Sequence, residues 1–80
     1  MDSFNGLNAT AVRLDMAVLV RSGVVTWDAS NARYRCGAVP VNGTWQRTLS
    51  TLARKEWIVR SGVSVVLAEG AAEFLTKCGR

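Results

Sequence analysis

The spacing of hydrophobic positions switches repeatedly between helical and strand periods, and each switch marks a predicted element. Leu7, Ala11, Leu14 and Val18 recur at intervals of four, three and four, the stripe of a helix packed on a core. That helix is expected over 8–22, capped by Asn8 or Thr10, with Gly23 as a left-handed terminator after Arg21. The next run, "VVTWDASNARYRC", is β-branched and aromatic on both sides of a polar break, which predicts a hairpin over 24–36 with "DASNA" as its turn. Alternation places Tyr34 on one face of that hairpin and Arg33 and Arg35 on the other. "GAVPVNG" is expected to be a connector, because Pro40 has no N–H to give to a ladder.

A second helical pattern over 44–55, capped by Thr44 or by Asn42 before it, buries Trp45, Leu49, Leu52 and Ala53. Gln46, Arg47, Ser50, Thr51, Arg54 and Lys55 remain on its outer side. Two short β-rich runs, Ile58-Val59 and 63–67, flank "RSG" and predict a second hairpin over 57–67 with Gly62 at its tip. A final helix over 68–77 buries Ala71, Phe74 and Leu75.

The pentapeptide "VRSGV" occurs twice, at 20–24 and 59–63. Aligning the two halves on it sets Asp28 against Leu67 and Arg35 against Phe74, so the match ends with the pentapeptide. It is the same turn chemistry used at a helix end and at a hairpin tip, and the chain is one unit. The fold class is α+β: a single domain over 1–80 in the order helix, β-hairpin, helix, β-hairpin, helix.

Composition narrows the function. With 49% hydrophobic residues and three tryptophans the 80-residue chain can build a core. A chain this short buries only about 60–65% of its unfolded surface, so a homodimer would add stability. Ten Lys+Arg against six Asp+Glu give a net charge of +4, which favours polyanionic partners: double-stranded DNA or an acidic protein surface. No histidine occurs, the six acids are scattered, and neither a glycine-rich phosphate loop nor a nucleophile elbow is present. An enzyme is not expected, nor a cofactor. Two distant cysteines, Cys36 and Cys78, cannot make a zinc site alone, and they read as reduced thiols. No apolar run approaches a membrane span, and "MDSFNGLNAT" has no leader pattern, so a cytoplasmic location is expected and the two sequons read as cap and turn chemistry.

The segment 44–75, "TWQRTLSTLARKEWIVRSGVSVVLAEGAAEFL", resembles the C-terminal half of small winged helix-turn-helix domains. "TLSTLARKEWIV", the tip "RSG" and "VVLAEGAAEFL" fall where that family has its helix end, its wing and the approach to its last helix. Glu56 stands where the family has a turn glycine, and the first hairpin stands where it has a second helix. The resemblance implies a winged-helix-like DNA-binding regulator of phage or plasmid type, with 44–55 as recognition helix. Gln46, Arg47, Ser50 and Arg54 would face a major groove, where Gln reads adenine and Arg reads guanine. Lys55 would contact phosphate, Arg60 at the wing would reach backbone or minor groove, and Arg33 and Arg35 would extend the footprint. Six of the ten basic residues then lie on these elements.

The alternative is a protein-binding module on the same scaffold, such as a phage-encoded inhibitor of a host nucleic-acid-processing complex, of the kind that blocks CRISPR systems. A third reading, stacking of Trp27, Tyr34, Trp45 and Trp57 on unpaired bases, competes with core packing of those rings, which their apolar surroundings favour.

Overall fold

Eleven residues from Ala11 to Arg21 form the first helix, and everything after it is arranged against that helix and one sheet. The computed structural model describes residues 2–37 and 39–80; Met1 and Ala38, the latter inside the expected connector, lie outside them. In chain order the elements are β1 (Ser3–Phe4), β2 (Leu7–Asn8), α1 (Ala11–Arg21), β3 (Val25–Asp28), β4 (Arg33–Cys36), β5 (Val39–Pro40), α2 (Gly43–Arg54), β6 (Ile58–Ser61), β7 (Ser64–Leu67) and α3 (Ala71–Lys77). Strands β3 to β7 make one antiparallel sheet in the order β5-β4-β3-β7-β6, and β1 and β2 pair as a separate small hairpin. The described chain is thus a small α+β domain with three helices and two antiparallel sheets.

Alternation along the strands decides which side of the large sheet carries the core. Val25, Tyr34, Ile58 and Val65 are buried on the face covered by α1 and α2, which also pack on each other. The neighbouring positions Thr26, Ser64, Val59 and Val66 fall on the other face and are half-buried or exposed. An antiparallel sheet can keep one face wet because its strands need no crossover helices to cover it.

Several expected boundaries and faces shift. Thr10, not Asn8, caps α1: its hydroxyl accepts the Arg13 N–H at 3.4 Å. Leu7 belongs to β2, and the buried stripe of α1 is Leu14, Met16, Ala17 and Val20, whereas Ala11 is exposed. The N-terminal hairpin, with strands two residues long, gives no alternation to read. Asn42 caps α2, its Oδ1 taking the Trp45 N–H at 2.9 Å. The expected connector after Cys36 contains β5, with Val39 opposite Cys36 and Pro40 opposite Arg35. Proline is tolerated there because β5 is the sheet's edge. Trp45 is not a core residue: it is 36% exposed in the first turn of α2, beside Val12, Met16 and Leu19 of α1. Leu49 and Leu52 carry the buried face of α2 alone.

The two copies of "VRSGV" do different work. In the first, Ser22 and Gly23 close α1, with the Gly23 N–H on the Val20 carbonyl at 3.1 Å and Gly23 at φ 86°. In the second, Ser61 pairs with Ser64 around a two-residue loop, and Gly62 takes φ 63° as its first loop residue.

Trp57 joins the parts. It is buried, and packs edge-on against Phe4 (6.1 Å between centroids) and Phe74 (5.3 Å), and its indole N–H donates to the Phe4 carbonyl at 2.8 Å. Its own backbone N–H closes the end of α2 on the Leu52 carbonyl at 2.9 Å. Glu56, at φ 59°, makes the left-handed turn that a glycine would make without strain. The Asn5 amide, at the tip of β1–β2, donates to the Lys55 carbonyl at 3.1 Å and tethers this turn. Trp57→Ala should lower unfolding free energy by about 3–5 kcal/mol in urea titrations, whereas Trp45→Ala should cost about 1 kcal/mol or less. Equal costs would contradict the placement of the two rings.

Candidate nucleic-acid interface

The outer face of α2 is set by where its inner face is tied. The backbone of β4 bonds to β3 at Arg33 and Arg35, as the Gly37 N–H to Val24 carbonyl bond one step further along confirms, so the Tyr34 N–H and carbonyl point away from β3. Strand β5 is too short to meet them. Gln46 does so instead: its Oε1 accepts the Tyr34 N–H at 2.8 Å, and its Nε2 donates to the Tyr34 carbonyl at 2.5 Å. The side-chain amide stands in for the missing strand. Gln46, expected to face a DNA groove, is therefore turned inward and fully engaged, because an unmet backbone pair beneath a helix costs more than a solvated glutamine gains.

With Gln46 pinned, Arg47, Ser50 and Arg54 face outward. Two shallow hollows adjoin along this face. Asn31, Arg33, Gln46, Arg47 and Ser50 line the first, and Trp27, Tyr34, Ser50, Ala53, Arg54 and Arg60 line the second. Ser50 borders both, so Arg47, Arg54 and Arg60 occupy one continuous surface built from α2 and β6, and Arg33 of β4 reaches the rim of the first hollow. Lys55 sits at the end of α2 and borders neither hollow. Arg35 lies on the same side of β4 as Arg33, the face turned away from α2, and borders neither hollow; its guanidinium lies 3.9 Å from Asp28. Of the eight expected site residues, Arg47, Ser50, Arg54 and Arg60 share this face, Arg33 reaches its rim, and Gln46, Lys55 and Arg35 stand apart.

The floor of this surface is aromatic, made by two of the rings weighed above for stacking on bases. Trp27 and Tyr34 meet edge-on, 4.9 Å between centroids, and the Arg60 guanidinium lies 4.0 Å over the Trp27 ring. Cross-strand pairing of Trp27 with Tyr34 was legible from the hairpin, but Arg60 arrives from a strand two positions away in the sheet. The stacked guanidinium holds its charge in place without an acidic partner. Burial pushes the Tyr34 phenol above its ordinary value, and the nearby Arg60 cation opposes that shift. At the hairpin tip, the Asn31 side-chain amide, helped by the Ser30 and Asn31 main chain and by Arg35, holds Asp28 below the ordinary carboxylate range. Asp28 is thereby satisfied within its own turn.

The cysteines lie elsewhere and are unpaired: Cys36 on β4, Cys78 after α3. Burial, with the Asp2 carboxylate 3.7 Å away, pushes the Cys78 thiol up. Among the described residues, no cluster of three His, Cys, Asp or Glu side chains could hold a metal, and no helix is long and apolar enough to cross a membrane.

Comparison with protein-family models, with curated proteins and with solved structures returns no match.

Gln46→Ala should destabilise the fold by about 1–3 kcal/mol in thermal or urea unfolding, by leaving both Tyr34 main-chain groups unmet. Unchanged stability would return Gln46 to the outer face.

Proposed function

We propose that this chain is a small, non-enzymatic DNA-binding domain of winged-helix type, with α2 as its recognition helix and β6–β7 as its wing. The reading is carried by one observation: Arg33, Arg47, Arg54 and Arg60 line two adjoining hollows that, among the described residues, no carboxylate lines. The order of elements supports it, since α1 leads into β3, β3 lies beside β7, and β7 belongs to the hairpin that follows α2. The net charge of +4 supports attraction to a polyanion. Arg47 and Arg54 on successive turns supply forked donors for guanine edges or phosphate, and Arg33 and Arg60 flank them for backbone contact.

A specific feature favours an acidic protein surface as the second reading. Gln46, the adenine reader of the helix, is committed to Tyr34, and strands β3 to β5 occupy the chain ahead of α2. Arginines alone recognise carboxylates as well as phosphates.

The double variant Arg47→Ala/Arg54→Ala separates the proposal from incidental charge. Duplex binding should weaken by at least about tenfold, and the log–log salt slope should shrink by about 2. Wild-type affinity and slope in that variant, with its fold intact by circular dichroism, would remove α2 from the binding surface.

A further inference from the structure

The two edges of the large sheet are treated differently. At one edge, β5 is two residues long and contains Pro40, and the next exposed backbone pair, on Tyr34, is taken by Gln46. The other edge is β6, Ile58–Ser61, a full strand with no covering element beyond it in the sheet order. The hydrogen-bond phase of β6 is known. The Ala68 N–H donates to the Trp57 carbonyl at 2.9 Å, and the register sets Val59 opposite Val66 and Ser61 opposite Ser64. Bonded pairs alternate with non-bonded ones, so Val59 and Ser61 spend their main-chain groups on β7, while the N–H and C=O of Ile58 and Arg60 point away from the sheet. Among the described residues no side chain hydrogen-bonds to either pair. A shallow hollow lined by Ala53, Glu56, Ile58, Val59, Arg60 and Ala68 runs beside them.

We propose that β6 pairs with β6 of a second copy of this chain, antiparallel, with the two-fold axis at Val59. This register sets Ile58 opposite Arg60 of the other copy in both directions, and each such pair exchanges both main-chain bonds. It brings the two Val59 side chains together on the outer face. Val59 is 46% exposed and Val66, its neighbour on β7, is 48% exposed, so the pairing forms a four-valine strip across the axis. Centring the axis on Arg60 instead would set Val59 opposite Ser61 of the other copy and break this strip, which disfavours that register. The register that closes this strip is symmetric about Val59, so the occupant it fits is a second copy rather than an unrelated strand.

A two-fold axis perpendicular to the sheet keeps both α2 helices on the same side, so the dimer turns both basic surfaces one way. The pairing itself does not depend on what those surfaces bind, and it is tested without nucleic acid.

Sedimentation velocity on the whole chain over a concentration series, up to about 1 mM, should show a monomer converting to a dimer. In deuterium exchange the Ile58 and Arg60 amides should slow as concentration rises, while the Val59 amide, already bonded to β7, should not respond. Val59→Lys, which sets like charges face to face at the axis, should sediment as a monomer throughout with wild-type circular dichroism. A wild-type chain that stays monomeric overturns the proposal, as does a Val59→Lys variant that dimerises normally. A dimer whose Ile58 and Arg60 amides ignore concentration also overturns it, whether or not the variant folds.

Discussion

The bidentate contact between the Gln46 side chain and the main chain of Tyr34 fixes the arrangement on which the basic surface depends. Leu49 and Leu52 draw α2 onto the sheet, but apolar burial is non-directional and would allow the helix to roll about its axis. Two hydrogen bonds to one backbone unit remove that freedom. They set Arg47 beside Arg33, place Ser50 over the junction of the two hollows, and bring Arg54 beside the Trp27–Tyr34 pair. A helix whose polar face is ordinary in composition acquires a defined basic surface because one of its polar residues faces inward.

The second organising contact lies at the opposite end of α2. Trp57 is held by Phe4, by Phe74 and by its bond to the Phe4 carbonyl, so β1, the start of β6 and α3 meet at one ring system. This fixes the direction in which the chain leaves α2 toward β6. That direction in turn delivers Arg60 across the sheet to the face of Trp27. The two contacts share the work: Gln46 orients the helix, and Trp57 orients the hairpin that follows it.

Most elements were legible in the sequence because local signals agreed with the tertiary result. The helical spacing of Leu49 and Leu52, the cap at Asn42, the β-branched runs around Asp28 and the glycine in each "VRSGV" all marked real boundaries. The errors have a common physical origin. Polarity predicts that a glutamine faces water and a tryptophan faces the core, yet Gln46 is inward because a neighbouring strand edge needed donors and acceptors, and Trp45 is partly outward because its turn borders an open hollow against α1 and the C-terminal Gly79 and Arg80. Leu7 continued the helical spacing by coincidence while lying in β2, a strand of two residues that carries no period. Of the candidate site, Arg33, Arg47, Ser50, Arg54 and Arg60 could be named from pattern and resemblance. The stacking of Arg60 on Trp27 could not, since it depends on β6 and β3 being separated by one strand.

In the proposed function the four arginines act together on a polyanion. The direct measurement is fluorescence anisotropy of the wild-type protein on a generic labelled duplex across a salt series. About 0.9 per neutralised phosphate predicts a log–log slope of about −3 to −4 for four arginine contacts. No binding at low salt, or affinity indifferent to salt, would contradict the account and give the surface to an acidic protein partner.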